Sequence, residues 1–112
     1  MARYIDIHSG FVGATEAQLR AAHRPYVTAT RRYGDTAYGW ALQDTTSFVK
    51  ILADPASRLI LGAHILGPQA STLIQPLTQA MSLGNTVDEI ARAVVYIHPA
   101  LTEAVEQCLL EL

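Results

Sequence analysis

Hydrophobic residues in the middle of the chain recur at alternate positions, which is the spacing of a β-strand. β-branched and aromatic residues predict one such strand over residues 26–33. Residues 47–53 and 59–66 predict two more, joined into an antiparallel hairpin by the turn sequence Asp54-Pro55-Ala56-Ser57. Because residues 59–66 are apolar on both sides, we expect both faces of that strand to be covered.

Two shorter apolar segments also favour strands. Tyr4, Ile5 and Ile7 suggest one near the beginning of the sequence, and residues 38–42 suggest another. With these segments the predicted sheet has about four to five strands.

Helical spacing and capping residues predict the remaining elements. Thr15 with Gln18, and Thr86 with Glu89, have the spacing of a capping box, in which side chains and backbone N–H groups bond reciprocally. Pro76 lies inside one predicted helix, where it removes a hydrogen bond, so we expect a kink. The predicted helices are residues 15–23, 70–84 with Gly84 as the C-cap, 86–93 and 101–110. The order of elements indicates an α+β domain in which an antiparallel sheet packs against helices.

Composition adds an expectation about assembly. The 112 residues make one domain, 1–112, of which 50% are hydrophobic and only 16% charged; a typical charged share is about 25%. A small monomer needs more polar surface than this, so we expect an oligomer. The expected interface residues lie on two helices: Ile74, Leu77, Met81, Leu101, Val105, Leu109 and Leu110.

The same numbers argue against several classes of function. A net charge of −2 and a pI of about 6.0 do not favour nucleic-acid binding. No apolar run reaches the ~20 residues that span a bilayer, and the first ten residues do not resemble a signal peptide. The single Cys108 excludes an internal disulfide and fits a reducing compartment, so we expect a cytoplasmic protein.

The strongest candidate for chemistry is His98-Pro99-Ala100-Leu101-Thr102-Glu103. A carboxylate beside an imidazole sets the tautomer of the ring and raises its pKa, as in a general acid/base. The alternative is structural, because glutamate is common in the first turn of a helix and histidine precedes proline by chance. The sequence offers no nucleophile beside the pair, so an independent hydrolase has little support.

The other reactive side chains favour structural roles. His64 lies in a predicted strand and is expected to be a hydrogen-bonded structural histidine, whereas His8 and His23 are expected at the surface. Cys108 is expected in the core. Trp40, with Tyr33 and Tyr38, suggests aromatic packing in the core or at an interface. The spacing of histidine and cysteine predicts no metal site.

Several motifs together resemble the C-terminal dimerisation domain of the flavin-dependent pyridine nucleotide–disulfide oxidoreductases. The resemblance covers nearly the whole chain. It rests on residues 61–70 (Leu-Gly-Ala-His-Ile-Leu-Gly-Pro-Gln-Ala), the helix that follows, Gly84, Thr86, and His98-Pro99 with Glu103. Within the family, residues 33–41, 71–82 and 98–101 look most like mycothione reductases, which reduce the disulfide of mycothiol with NADPH.

The resemblance implies a role in a two-subunit active site. It implies a homodimer in which FAD, NADPH and the redox-active cysteines belong to other domains, absent from this chain, and the substrate is a small thiol disulfide. His98 and Glu103 would then be the acid/base pair of the partner subunit's site. His98 and Pro99 would line its flavin pocket, and the His98–Pro99 peptide would be cis, as in relatives.

Two departures from the family pattern, and one alternative, accompany this resemblance. Ala100 stands where the family has threonine, so half of a capping box is missing and Glu103 is expected to be freer for His98. Ile7 replaces the proline that follows Asp6 in relatives. A chain of this length cannot run the reaction alone, so the sequence also fits a free-standing dimeric binding or scaffold module without catalysis.

Overall fold

The structure, a computed structural model, describes residues 9–112 of the chain. The strand predicted around Tyr4, Ile5 and Ile7, the position of His8 and the departure at Ile7 therefore lie outside the described residues. The strands are β1 (Ser9–Gly13), β2 (Val27–Arg32), β3 (Phe48–Ala53) and β4 (Ile60–Leu66). The helices are α1 (Glu16–Ala21), α2 (Ala37–Ala41), α3 (Ala70–Leu73), α4 (Gln75–Leu83), α5 (Val87–Arg92) and α6 (Thr102–Leu110).

The four strands form one antiparallel sheet in the order β1-β4-β3-β2. The predicted hairpin is β3 and β4, and its turn is held by Asp54, whose carboxylate accepts hydrogen bonds from the backbone N–H groups of Ala56 and Ser57. Strand register places Ala29, Ile51 and Ala63 side by side across the sheet. The α+β prediction is confirmed.

One face of the sheet carries the core. Helices α3, α4 and α6 pack against it, with α5 against α6. Its buried residues include Val49, Ile51, Ala63, Ile65, Leu73, Leu77, Val105 and Leu109. The opposite face is covered less completely than expected, because His64 is half-buried and Leu66 is 45% exposed.

The prediction of a strand at residues 38–42 is wrong, since residues 37–41 form helix α2. The side chain of Thr36 accepts a hydrogen bond from the N–H of Gly39 and begins the helix. A Cβ on Gly39 would lie 1.9 Å from the carbonyl oxygen of Tyr33, so only glycine allows this close approach. Trp40 is 76% exposed whereas Tyr33 is fully buried, so the two do not pack in one core cluster.

The capped helices form where the sequence predicts them. Both capping boxes are present, at Thr15 in front of α1 and at Thr86 in front of α5. Pro76 interrupts the predicted long helix as expected: α3 ends before Ile74, and the proline occupies the first turn of α4. Gly84 ends α4 with φ of 72°, in the left-handed region that glycine favours.

We predict that Gly39→Ala lowers the free energy of unfolding by about 1–3 kcal/mol or more, because the added methyl overlaps the Tyr33 carbonyl. Gly84→Ala is the matched control, with open space around it and a cost of about 1–2 kcal/mol from its positive φ alone. Urea denaturation measures both. A smaller loss in Gly39→Ala than in Gly84→Ala would contradict the packing described for α2.

Candidate functional site

His98 lies on the segment that connects α5 to α6. The segment has no regular secondary structure after Ala93, and its His98–Pro99 peptide bond is cis, as the family resemblance implies. α6 begins immediately after it and is held by apolar residues buried against the sheet. Those residues are Leu101, Ala104, Val105, Cys108 and Leu109. The segment therefore carries His98 to the surface beside the N-terminal turn of a fixed helix.

Glu103 in the first turn of α6 holds the histidine ring. The Nδ1 atom of His98 lies 2.9 Å and 3.0 Å from the two carboxylate oxygens of Glu103. The backbone N–H of Ala100 donates to the same carboxylate at 3.2 Å. With Nδ1–H donating to Glu103, the neutral ring carries its lone pair on Nε2. Among residues 9–112, no protein group forms a hydrogen bond with Nε2.

Burial differs between the two partners. The His98 side chain is 68% exposed, whereas that of Glu103 is 17% exposed. The hydrogen bond from His98 is the main cause that lowers the pKa of Glu103, and the Ala100 N–H adds to it against the opposing effect of burial. Glu103 is thus a fixed carboxylate behind a ring whose other nitrogen is accessible. This arrangement can accept and deliver a proton at Nε2.

The Ala100 position shows what remains of the capping box. Because alanine has no side-chain oxygen, the α6 N-terminus has no side-chain cap from this position. The reciprocal half persists, since Glu103 still accepts from the Ala100 N–H. Glu103 serves the histidine and the backbone together, so it is less free than the missing threonine suggests.

Of the other histidines, His64 and His23 have the settings that the sequence predicts, and so does Cys108. The Nε2 atom of His64 lies 3.1 Å from the carbonyl oxygen of Ala14, and its ring stacks on Phe11. His23 is exposed. Cys108 is buried, and burial raises the pKa of its thiol to about 12, so it is not a ready nucleophile. Between residues 9 and 112 no cluster of three potential metal ligands occurs.

The interface predicted from helix periodicity needs correction. Leu77, Leu101, Val105 and Leu109 are at most 3% exposed within this single chain, because they face its own sheet. Of the predicted interface residues, Leu110 is exposed, at 44%. A group of exposed apolar side chains that periodicity did not predict is Val94 (50%), Val95 (85%) and Ile97 (67%), on the segment that leads to His98. The sequence contains a signal for this exposed apolar segment: Val94-Val95-Tyr96-Ile97 is an apolar run between two helices, where polar loop residues are usual.

A groove of about 390 Å³ runs beside these residues. One wall comes from α4 and the other from the segment before His98. None of the lining residues is charged: Pro76, Leu77, Gln79, Ala80, Asn85, Ile90, Val94, Val95, Tyr96, Ile97, Thr102 and Val105. The groove and the exposed valines form one apolar surface adjoining the His98–Glu103 pair, which we call the valine surface.

Comparison with known proteins places the chain among flavoenzyme relatives. Residues 1–109 match the model of the pyridine nucleotide-disulphide oxidoreductase dimerisation domain. The chain is 50% identical over 109 residues to mycothione reductase of Mycobacterium tuberculosis, covering 97% of this chain and 24% of that protein. It is 37% identical to dihydrolipoamide dehydrogenase of Chaetomium thermophilum over 97 residues, covering 87% of this chain and 19% of that protein. The chain thus spans about a quarter or less of these relatives.

Solved structures agree on the fold. LpdA from Mycobacterium tuberculosis matches with a TM-score of 0.85 at 22% identity, over 92% of this chain and 22% of that chain. The Cu(II) complex of the HOCl-induced flavoprotein disulfide reductase RclA from Escherichia coli matches with a TM-score of 0.84 at 20% identity, over 92% and 23%. At these identities the likeness shows a shared fold. No helix within residues 9–112 is long and apolar enough to cross a bilayer.

We predict that His98→Ala raises the pKa of Glu103 towards its ordinary value, because the His98 hydrogen bond is the main cause of its lowering. Carbon-detected NMR titration of the glutamate carboxyls measures this. Glu16, whose pKa is lowered by Lys50 and Tyr26, is the internal control and should not move. An unchanged Glu103 titration would show that the pair is not formed in solution.

The same pair gives a pH dependence of stability. The pKa of Glu103 is lower in the folded chain than in the unfolded one. Its stabilising contribution is therefore present above the unfolded pKa and is lost as the pH falls through the folded pKa. The free energies of unfolding of the wild type and His98→Ala should therefore converge as the pH falls through the folded-state pKa of Glu103. A difference between the two that stays constant at all pH values would contradict the coupling.

Proposed function

Since the chain belongs to the dimerisation domains of the pyridine nucleotide-disulphide oxidoreductases, we propose that it serves a mycothione reductase-like disulfide reductase and supplies that enzyme's acid/base histidine across the dimer interface. The observation that carries the proposal is the His98–Glu103 pair, with one ring nitrogen fixed and the other accessible. The substrate would be a small thiol disulfide, and NADPH the reductant.

The chain offers part of a cofactor site. His98 and Pro99 are exposed side by side, so they can form one wall of a flavin pocket that other domains complete. The sequence has no glycine-rich phosphate-binding motif to hold FAD or NADPH by itself. When bound in the full enzyme, FAD and NADPH supply the two electrons that cleave the disulfide.

The residues of this chain would handle the protons. Reduction of a disulfide to two thiols consumes two electrons and two protons. We propose that Nε2 of His98 first accepts the proton of the partner's interchange cysteine, the redox-active thiol whose thiolate attacks the disulfide. As the S–S bond breaks, Nε2 returns that proton to the thiolate that leaves. The second proton would come from solvent when NADPH reduces the enzyme. Glu103 keeps Nδ1–H oriented and balances the charge of the imidazolium.

We predict that a chimera carrying this chain as the dimerisation domain of mycothione reductase reduces disulfides with NADPH. His98→Ala should lower the turnover number by about 10²–10⁴-fold, the usual contribution of a general acid/base. His23→Ala, an exposed histidine outside the pair, is the matched control and should leave turnover unchanged. A dimeric chimera that stays equally active in His98→Ala would refute the catalytic role and leave the dimeric scaffold as the function.

The valine surface is the part of the chain that we propose for homodimerisation. It is apolar and uncharged at its groove, and it carries the most exposed of these side chains, Val95 at 85%. It ends at His98, so a second copy seated there would receive the histidine at its edge. A dimerisation domain that delivers a residue to its partner requires this adjacency.

We predict that Val95→Lys weakens the dimer at least tenfold, because it buries a charge in an apolar contact. Leu42→Lys, an exposed aliphatic residue at the C-terminal end of α2, is the matched control and should not alter association. Sedimentation velocity at several concentrations measures both. Equal dissociation constants in the two variants would place the interface elsewhere on the chain.

A further inference from the structure

The segment before His98 has almost no backbone anchoring. Among the described residues, 94–99 neither donate nor accept a backbone–backbone hydrogen bond. Three of its apolar side chains point outward, as the exposure of Val94, Val95 and Ile97 shows. The position of His98 therefore depends on a small number of side-chain contacts.

Among the described residues, Tyr96 makes the one hydrogen bond that ties this segment back to α5. Its hydroxyl donates to the carbonyl oxygen of Ile90 at 2.9 Å. The carbonyl belongs to the last turn of α5, where helix C=O groups have no intrahelical partner. Tyr96 is half-buried, unlike its neighbours on either side.

From these contacts we infer that Tyr96 is a positioning residue for His98, holding the segment so that the imidazole meets Glu103. Two side-chain hydrogen bonds, from residues two positions apart, hold the segment: the Tyr96 hydroxyl bonds to the Ile90 carbonyl, and the His98 imidazole bonds to the Glu103 carboxylate. Loss of the first leaves residues 94–97 free to move on the surface. The imidazole then spends less time in contact with Glu103, although α6 and its carboxylate stay in place.

The Tyr96 hydroxyl is suited to donate this hydrogen bond over a wide pH range. Burial is the main cause that raises the pKa of Tyr96, and the nearby Glu106 carboxylate raises it further. The hydroxyl therefore stays protonated and remains a hydrogen-bond donor throughout the pH range in which a thiol–disulfide enzyme works. The inference rests on the proposed function only for its catalytic consequence, because the positioning itself is a property of this chain.

Tyr96→Phe tests the inference, with Tyr33→Phe as a matched control. Both variants lose one phenol hydroxyl that donates to a backbone carbonyl at 2.9 Å, from Tyr33 to Pro68 in the control. Tyr33 lies between β2 and α2, far from His98 in the sequence. Among the described residues it forms no hydrogen bond with the segment that carries His98. A general loss of stability should therefore appear in both variants.

The first readout is NMR titration of this chain. Tyr96→Phe should shift the Glu103 titration upward, in the direction of His98→Ala, and Tyr33→Phe should leave it at the wild-type position. A Glu103 titration in Tyr96→Phe that matches the wild type overturns the inference, whatever the enzyme activity. This readout holds even if the proposed function fails.

The second readout is the chimera's kinetics. Tyr96→Phe should lower kcat by about tenfold, up to roughly 10²-fold, with KM for the disulfide little changed, since misplacement of a catalytic group lowers turnover. Tyr33→Phe should leave kcat unchanged. An unchanged kcat in Tyr96→Phe, alongside an inactive His98→Ala, overturns the positioning role and leaves the function standing. If kcat is unchanged in both Tyr96→Phe and His98→Ala while the Glu103 titration of Tyr96→Phe is shifted, the proposed function is refuted and the positioning role stands.

Discussion

The burial of one face of α6 against the sheet is the constraint on which the site depends. Ala104 and Cys108 are fully buried on that face, and the Cys108 thiol donates to the carbonyl oxygen of Ala29 in β2. With its axis fixed in this way, the helix presents Glu103 on its first turn at a constant place. The carboxylate then sets the orientation of the His98 ring, while the Tyr96 hydroxyl holds the segment that carries the ring.

The site thus combines a rigid half and a loosely held half. The glutamate is mounted on a packed helix, whereas the histidine stands on a segment without backbone pairing. Rigid elements hold functional groups more precisely than loops, so α6 fixes the position of Glu103, whereas the segment places His98 at the surface. A residue that acts in a site completed by another subunit must lie at the surface of its own chain.

The parts of the fold that follow from local interactions could be predicted from the sequence. The β3–β4 hairpin, both capping boxes and the interruption at Pro76 depend on residues within a few positions of one another. Helix α2 could not be predicted, because it depends on the close approach of Gly39 to the Tyr33 carbonyl, which no hydrophobic pattern records. Periodicity located the apolar face of α6 but could not tell whether it meets its own sheet or another chain.

The candidate site was predictable to a similar degree. The five-residue spacing of His98 and Glu103 on either side of a helix start brings them together through local geometry. The role of Tyr96 could not be predicted, because its hydrogen-bond partner is a backbone carbonyl, which has no sequence signature. The low charge of the chain agrees with the uncharged groove of the valine surface, which we propose as the interface, but composition alone does not locate that surface.

The central claim is that His98 acts in the active site of the other subunit, and hybrid dimers of the chimera test it most directly. One subunit carries His98→Ala, and the other has serine in place of its interchange cysteine; neither forms an active homodimer. If the histidine acts across the interface, each hybrid has one intact site and about half the activity of a wild-type dimer, by the twofold symmetry of the assembly. Hybrids that form but show no activity would mean that His98 serves its own subunit, and would contradict the account.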